Sequence, residues 1–139
     1  MSLFRVFDVA GSAMSAQSVR LNTTASNLAN ANSVSSSAGE TYKARYPVFQ
    51  AQLDQANAAQ NDAVGVNVAG IVESDAPSVN EFNPNHPLAD ENGFVYRPNV
   101  NVMEEMANMI SASRSYQTNV QIADSAKQML NKTLTLGQG

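Results

Sequence analysis

Cysteine and tryptophan are absent from this chain, and histidine occurs once, at His86. No disulfide can form, and no thiolate is available to hold a metal or attack a substrate, so cysteine-based redox and metal chemistry are excluded at the outset. Charged residues make up only 14% and aromatic residues 6% of the 139 positions, against about a quarter charged in an ordinary globular chain. Basic residues are the scarcer sign, eight against twelve acidic, for a net charge of −4. Nucleic-acid binding depends on Lys and Arg at phosphates, so this balance argues against nucleic acid, and none is expected as a partner. No apolar run approaches the ~20 residues that span a bilayer. The start, Met1 to Asp8, is too polar for the apolar region of a secretory signal. By these signs alone the chain is expected to be cytoplasmic, unless a route without a cleaved signal exports it.

What fills the gap is small and amide-bearing: 20 Ala, 16 Asn and 15 Ser. The length suits one domain. Small side chains let backbones approach closely but each buries little area, so a chain of this size is expected to be marginal on its own.

The two ends read as helices. From Leu3 to about Ala31 there is no proline, and Ser2 is a suitable N-cap. Phe4, Gly11, Ser18 and Ala25 fall on one heptad position, and Phe7, Met14, Leu21 and Leu28 on another, which is a helical seam. Val6, Val9, Ala10 and Ala13 widen the apolar surface beyond one stripe, so one partner helix would not cover it. At the other end Asn101 and Glu104 have capping-box spacing, and Glu104 with Glu105 places negative charge at the positive end of a helix dipole. A second seam runs Met106, Met109, Ser113, Tyr116, Val120, Ala123, Lys127, Leu130, Leu134, and Gly137 is the expected closing residue. The methionines at 103, 106, 109 and 129 suit both a core and an adaptable interface. Arg20, Asn27 and Asn30 share a face beside the first seam, where amides can bond neighbouring backbone or subunits.

Residues 33–100 are different material. Ser33 to Gly39 is a loop by composition. Thr41 to Phe49, interrupted by Pro47, suits an edge strand or extended arm. Residues 50–62 fit a short helix or an excursion equally well. Val64 to Val72 alternates and is the clearest strand. Asn92-Gly93 is a strong turn signal beside a short strand at Phe94 to Tyr96. The expected fold is mainly α: a helical assembly domain of 1–32 with 101–139, its two long terminal helices pairing as an antiparallel coiled coil, and a small loop-rich β insert at 33–100. In that pairing Phe7 is expected beside Leu130, and Leu28 beside Met109 or Ser113.

Catalytic constellations do not assemble. His86 sits in a proline-bracketed turn with no second His or Cys to complete a metal or triad set. Glu104 and Glu105 are adjacent on a helix and point about 100° apart, so they cannot flank one bond as an acid/base pair. The helical serines have no base partner. No enzyme activity and no cofactor are expected.

The segments Gly11 to Asn22 (GSAMSAQSVRLN) and Ala25 to Asn32 (ASNLANAN) resemble the amino-terminal signature of bacterial flagellar rod and hook proteins. Arg114 to Asn119 (RSYQTN), Lys132 to Gln138 (KTLTLGQ), His86 to Gly93 (HPLADENG) and Pro98 to Val102 (PNVNV) resemble the proximal-rod members of that family. Ser33 departs from the threonine usual there, and residues 51–63 match no part of the pattern. The resemblance implies a structural subunit of the flagellar basal body, exported by the flagellar type III route without signal cleavage and assembled into a helical tube across the periplasm. Its implied partners are further copies of itself, other rod proteins and the MS-ring/rod junction protein, with the terminal helices lining an export channel and the insert outside. The residues expected at subunit interfaces are Phe4, Phe7, Met14, Leu21, Asn27, Leu28 and Asn30 on the first helix. On the second they are Met106, Met109, Tyr116, Val120, Leu130 and Leu134. Lack of cysteine fits life in an oxidising compartment. The competing reading is an adaptor of a secretion apparatus that grips a partner with its terminal helices; an open array needs unlike head and tail surfaces, whereas an adaptor stops at a closed complex.

Overall fold

The computed structural model describes residues 3–52 and 64–137. The Ser2 cap and most of the 50–62 segment, whose conformation the sequence left open, lie outside the described residues. Two helices, α1 (Leu3–Asn30) and α2 (Val102–Gly137), enclose four strands: β1 (Arg45–Ala51), β2 (Val66–Glu73), β3 (Val79–Phe82) and β4 (Phe94–Arg97). The helices form where proline is missing and small or straight-chain residues dominate. Asn101 starts α2 as its N-cap: its Oδ1 accepts the Met103 and Glu104 amides at 3.1 and 3.3 Å. Gly137 is the last described residue of α2 and keeps a helical backbone; the one positive φ among the described residues is at Gly93, not at this expected closing glycine.

The helices lie side by side and run in opposite directions. Arg20 Nη2 donates to Asn108 Oδ1 at 2.9 Å, Asn27 reaches Glu105, and Val6 lines a groove with residues from Thr118 to Met129. At 1.5 Å per residue α1 is roughly 42 Å long and α2 roughly 54 Å, so α2 projects past the start of α1. The level of pairing differs from expectation. Asn27 meets Glu105, which puts Leu28 about a turn nearer the start of α2 than Met109. The buried row on α2 is Glu105, Ala112 and Ala126, with Asn119 half-buried between them. That row sits one residue, and so about 100°, around the helix from the seam through Met106, Ser113, Val120 and Lys127. Close packing selects alanines for the inner row, and the larger apolar groups turn aside.

The strands form two hairpins rather than one sheet. β1 and β2 pair antiparallel from Arg45↔Glu73 to Ala51↔Val66, with a bulge between Val48 and Phe49. Pro47 is tolerated because a two-stranded ribbon has only edge strands. β2 begins at Val66, within the alternating run. β3 and β4 pair from Val79↔Arg97 to Phe82↔Phe94, and Ser35 bridges the other side of β4 at Tyr96. β3 lies in a stretch that composition marks as turn-rich, and all four of its residues are exposed, so it carries no burial pattern to read. Gly93 turns this hairpin at φ 80°, where a Cβ would stand 3.0 Å from the Phe82 ring and 3.1 Å from Pro84 Cβ.

The interior is thin. Among the described residues, the buried apolar side chains are six alanines (10, 16, 31, 44, 112, 126) and Val95.

Candidate functional site

The helices and the first hairpin meet at a polar joint. Asn27 has no exposed surface. Its Nδ2 donates to the Arg45 carbonyl at 2.9 Å and to Glu105 Oε2 at 3.1 Å. Its Oδ1 accepts the Tyr42 hydroxyl at 2.8 Å and the Arg45 amide at 2.9 Å. Two donors and two acceptor positions are thus all used. Glu105, 1% exposed, takes a second hydrogen bond from the Tyr46 hydroxyl. Burial first, then the nearby Glu105 carboxylate and its hydrogen bond, push the Tyr46 hydroxyl above its usual 10. Ser26 shares a hydrogen bond with the Tyr42 hydroxyl at 3.2 Å. The far end of the hairpin is tied to α1 at Ser12, whose Oγ accepts the Val66 amide at 3.1 Å. Gly65 allows that approach, because a Cβ there would lie 2.9 Å from Ser12 Oγ and 2.7 Å from Gln52 Oε1.

Outside this joint, large apolar groups stand in solvent. On α2 they are Met103 (75% exposed), Met106, Ile110, Tyr116, Ile122, Met129, Leu134 and Leu136 (82%); on α1, Phe4 (69%) is the counterpart. By helical angle Met103 and Ile110 lie on the side of α2 opposite Glu105 and Ala112, with Met106 about 100° round from Glu105. Val6, Ile122, Ala126 and Met129 line an open groove between the helices near the start of α1.

Of the residues expected at subunit interfaces, Phe4, Met106, Tyr116 and Leu134 are exposed. Phe7, Met14, Leu21, Leu28, Asn30, Met109, Val120 and Leu130 are half-buried along the flanks of the helix pair. Asn27 is placed in the joint, bonding its own chain, and Asn30 Nδ2 donates to the Ser26 carbonyl one turn back. Sequence reasoning missed Glu105, whose place in the first turn of α2 is as well explained by the dipole. It missed Tyr46 and Tyr42 too; the available signal was the aromatic density of 42–49 beside the asparagine-rich end of α1. His86 Nδ1 accepts the Leu88 amide at 3.1 Å, a turn contact. Among the described residues, no group of three or more His, Asp and Glu is placed to hold a metal ion, and no helix is long and apolar enough to cross a membrane.

Long helices at both ends, a strand insert between them and apolar surface turned outward define a structural protein built for assembly, and comparison with known proteins gives the class. Residues 7–35 match the family model described as "Flagella basal body rod protein", and residues 91–136 match "Flagellar basal body rod FlgEFG protein C-terminal". The chain is 52% identical over 139 residues to the flagellar basal-body rod protein FlgC of Salmonella typhimurium, covering 99% of this chain and all of that protein. It is 52% identical over 138 residues to FlgC of Yersinia enterocolitica and 40% identical over 138 residues to FlgC of Buchnera aphidicola subsp. Acyrthosiphon pisum, each over 99% of this chain and the whole relative. The chain belongs to the FlgC family of flagellar basal-body rod proteins. It is a structural subunit of the rod rather than an enzyme, and it assembles with other rod components.

Proposed function

We propose that this chain is a proximal-rod subunit that assembles through its two terminal helices. In this reading 1–32 and 101–139 form a helical unit packed as an antiparallel coiled coil. Repeated around an axis in the periplasm, that unit builds a tube that transmits torque and lines an export channel. Residues 33–100 ride outside it. The partners are further copies, the other rod proteins and the MS-ring/rod junction protein. The observation that carries the reading is the inversion of apolar surface: alanines are buried between α1 and α2 while Met103, Met106, Ile110, Leu134 and Leu136 are exposed. Such an exposed apolar face is what a partner covers. The proposed contact set is the one expected from sequence apart from Asn27, which is buried and bonded within its own chain, and is led by the exposed members Phe4, Met106, Tyr116 and Leu134.

The test is assembly in cells. Met106→Asp and Leu134→Asp replace exposed groups, so the chain should fold, yet a carboxylate desolvated in a subunit contact costs several kcal/mol in each copy. Both variants should be absent from purified basal bodies and leave cells immotile, whereas His86→Ala should swim normally. Normal rods with both aspartate variants would remove the helices from the assembly interface.

A further inference from the structure

Apart from its polar contacts, Asn27 with Glu105 and Arg20 with Asn108, the contact between α1 and α2 carries little information about where along each other the helices stop. Its buried apolar members are Ala10, Ala16, Ala112 and Ala126. Glu105, Ala112, Asn119, Ala126 and Thr133 share one heptad row, so a slide of seven residues puts Ala112, Asn119, Ala126 and Thr133 where Glu105, Ala112, Asn119 and Ala126 stood, a row in which no side chain is larger than asparagine. Gln17 adds nothing, because its Oε1 is buried with no hydrogen-bond partner. The polar joint does discriminate. The β1–β2 hairpin is tied to α1 at two levels, Ser12 to Val66 and Asn27 to Arg45, which holds Tyr46 in a set position along α1. Glu105 is the α2 group that meets both Asn27 and Tyr46 there. A slide of one heptad moves it about 10 Å along the axis, leaving a buried carboxylate without either donor. A single buried polar position is a well-attested way to specify register between helices.

We propose that Asn27, Glu105 and Tyr46 form a register lock that sets where α2 lies along α1, and therefore how far the Leu134–Leu136 end of α2 projects toward a neighbouring subunit. The second half rests on the assembly reading above; the first does not.

The chain's lack of cysteine makes register directly readable. Val6→Cys with Ala126→Cys reports the observed register, since both residues line one groove. Val6→Cys with Thr133→Cys reports a slide of seven. Each pair is treated with a short thiol–thiol cross-linker in purified basal bodies. With the joint intact, only the Ala126 pair should close. With Asn27→Leu and Glu105→Leu together, which keep the site filled and apolar, closure of the Ala126 pair should fall several-fold and the Thr133 pair should begin to close. Glu105→Gln retains an acceptor for Asn27 and Tyr46 and should keep the native pattern. If the double leucine chain is missing from basal bodies, the same pairs are read in the purified full-length chain. Undiminished closure of the Ala126 pair alone, in either setting, overturns the lock. Normal assembly of Met106→Asp and Leu134→Asp would instead overturn the assembly reading and leave the register measurement standing.

Discussion

Asn27 is a fully buried amide on α1 and Gln17 a half-buried one whose Oε1 is shut off from solvent, and they should respond to the same substitution with opposite signs. Asn27→Leu removes four hydrogen bonds and leaves Glu105 with the Tyr46 hydroxyl as its remaining donor from the joint. Leaving a buried charged acceptor short of one of its donors costs about 3 kcal/mol. Gln17 Oε1 has no partner to lose, and an unsatisfied buried acceptor costs about 1–3 kcal/mol, so Gln17→Leu should stabilise by ~1 kcal/mol. Denaturant midpoints of the two full-length variants, measured against the unsubstituted chain, decide both signs; a destabilised Gln17→Leu would show that this carbonyl is satisfied in solution. The sequence makes Asn27 conspicuous as one of several asparagines at the end of a helix, and bonding to neighbouring backbone is the use it finds at Arg45. Nothing local identifies Glu105 as its partner, 78 positions away, because a helix start welcomes acidic residues in any case.

At the level of elements, the turn into β4 is organised by one carboxylate, Asp90, while Glu81 and Arg97 pair across the β3–β4 hairpin at 2.9 Å. Asp90 Oδ1 accepts the Asn92 and Phe94 amides at 2.9 and 2.8 Å, and Oδ2 accepts the Tyr96 hydroxyl at 3.0 Å. The Phe94 amide above all, then the Tyr96 hydroxyl and the Asn92 and Gly93 amides, hold Asp90 below its usual 3.8 against an opposing desolvation. A carboxyl whose folded value is depressed contributes stability above the unfolded value and loses it as pH falls through the folded one. The hairpin should therefore be indifferent to pH near neutrality and loosen only below about 3.8. The Phe94 amide chemical shift followed by NMR should titrate there, and Asp90→Asn should abolish that step; a step unchanged in Asp90→Asn would assign it to another group. Elements with strong local signals were legible: both helices, the turn at Asn92-Gly93 and the alternating strand containing β2. The facing and level of the helix pair were not. Large apolar residues dominate a seam drawn from sequence, whereas the alanine row that packs inside differs from it by a single residue step.

For the molecule as a whole, family and role follow from long stretches at both ends, which match the rod-protein family models at residues 7–35 and 91–136 and carry a pattern beyond the needs of one chain's interior. The class of assembly was legible for that reason, and the polar joint was not, since it is assembled from α1, the segment around Tyr42 and Tyr46, and the start of α2. One consequence of an apolar interior that, among the described residues, consists of six alanines and a valine is calorimetric. The heat capacity released on unfolding scales with the apolar area newly exposed to water, typically about 12–15 cal/mol/K per residue. With its larger apolar groups already wetted, this chain as a monomer should fall clearly below that range in scanning calorimetry, and a normal value would mean the outward face is covered before assembly. A small increment flattens the dependence of stability on temperature. The free subunit is then weakly folded, by a similar margin, in cold and warm cells alike. That suits a protein expected to be threaded through an export apparatus before it takes its place in the rod.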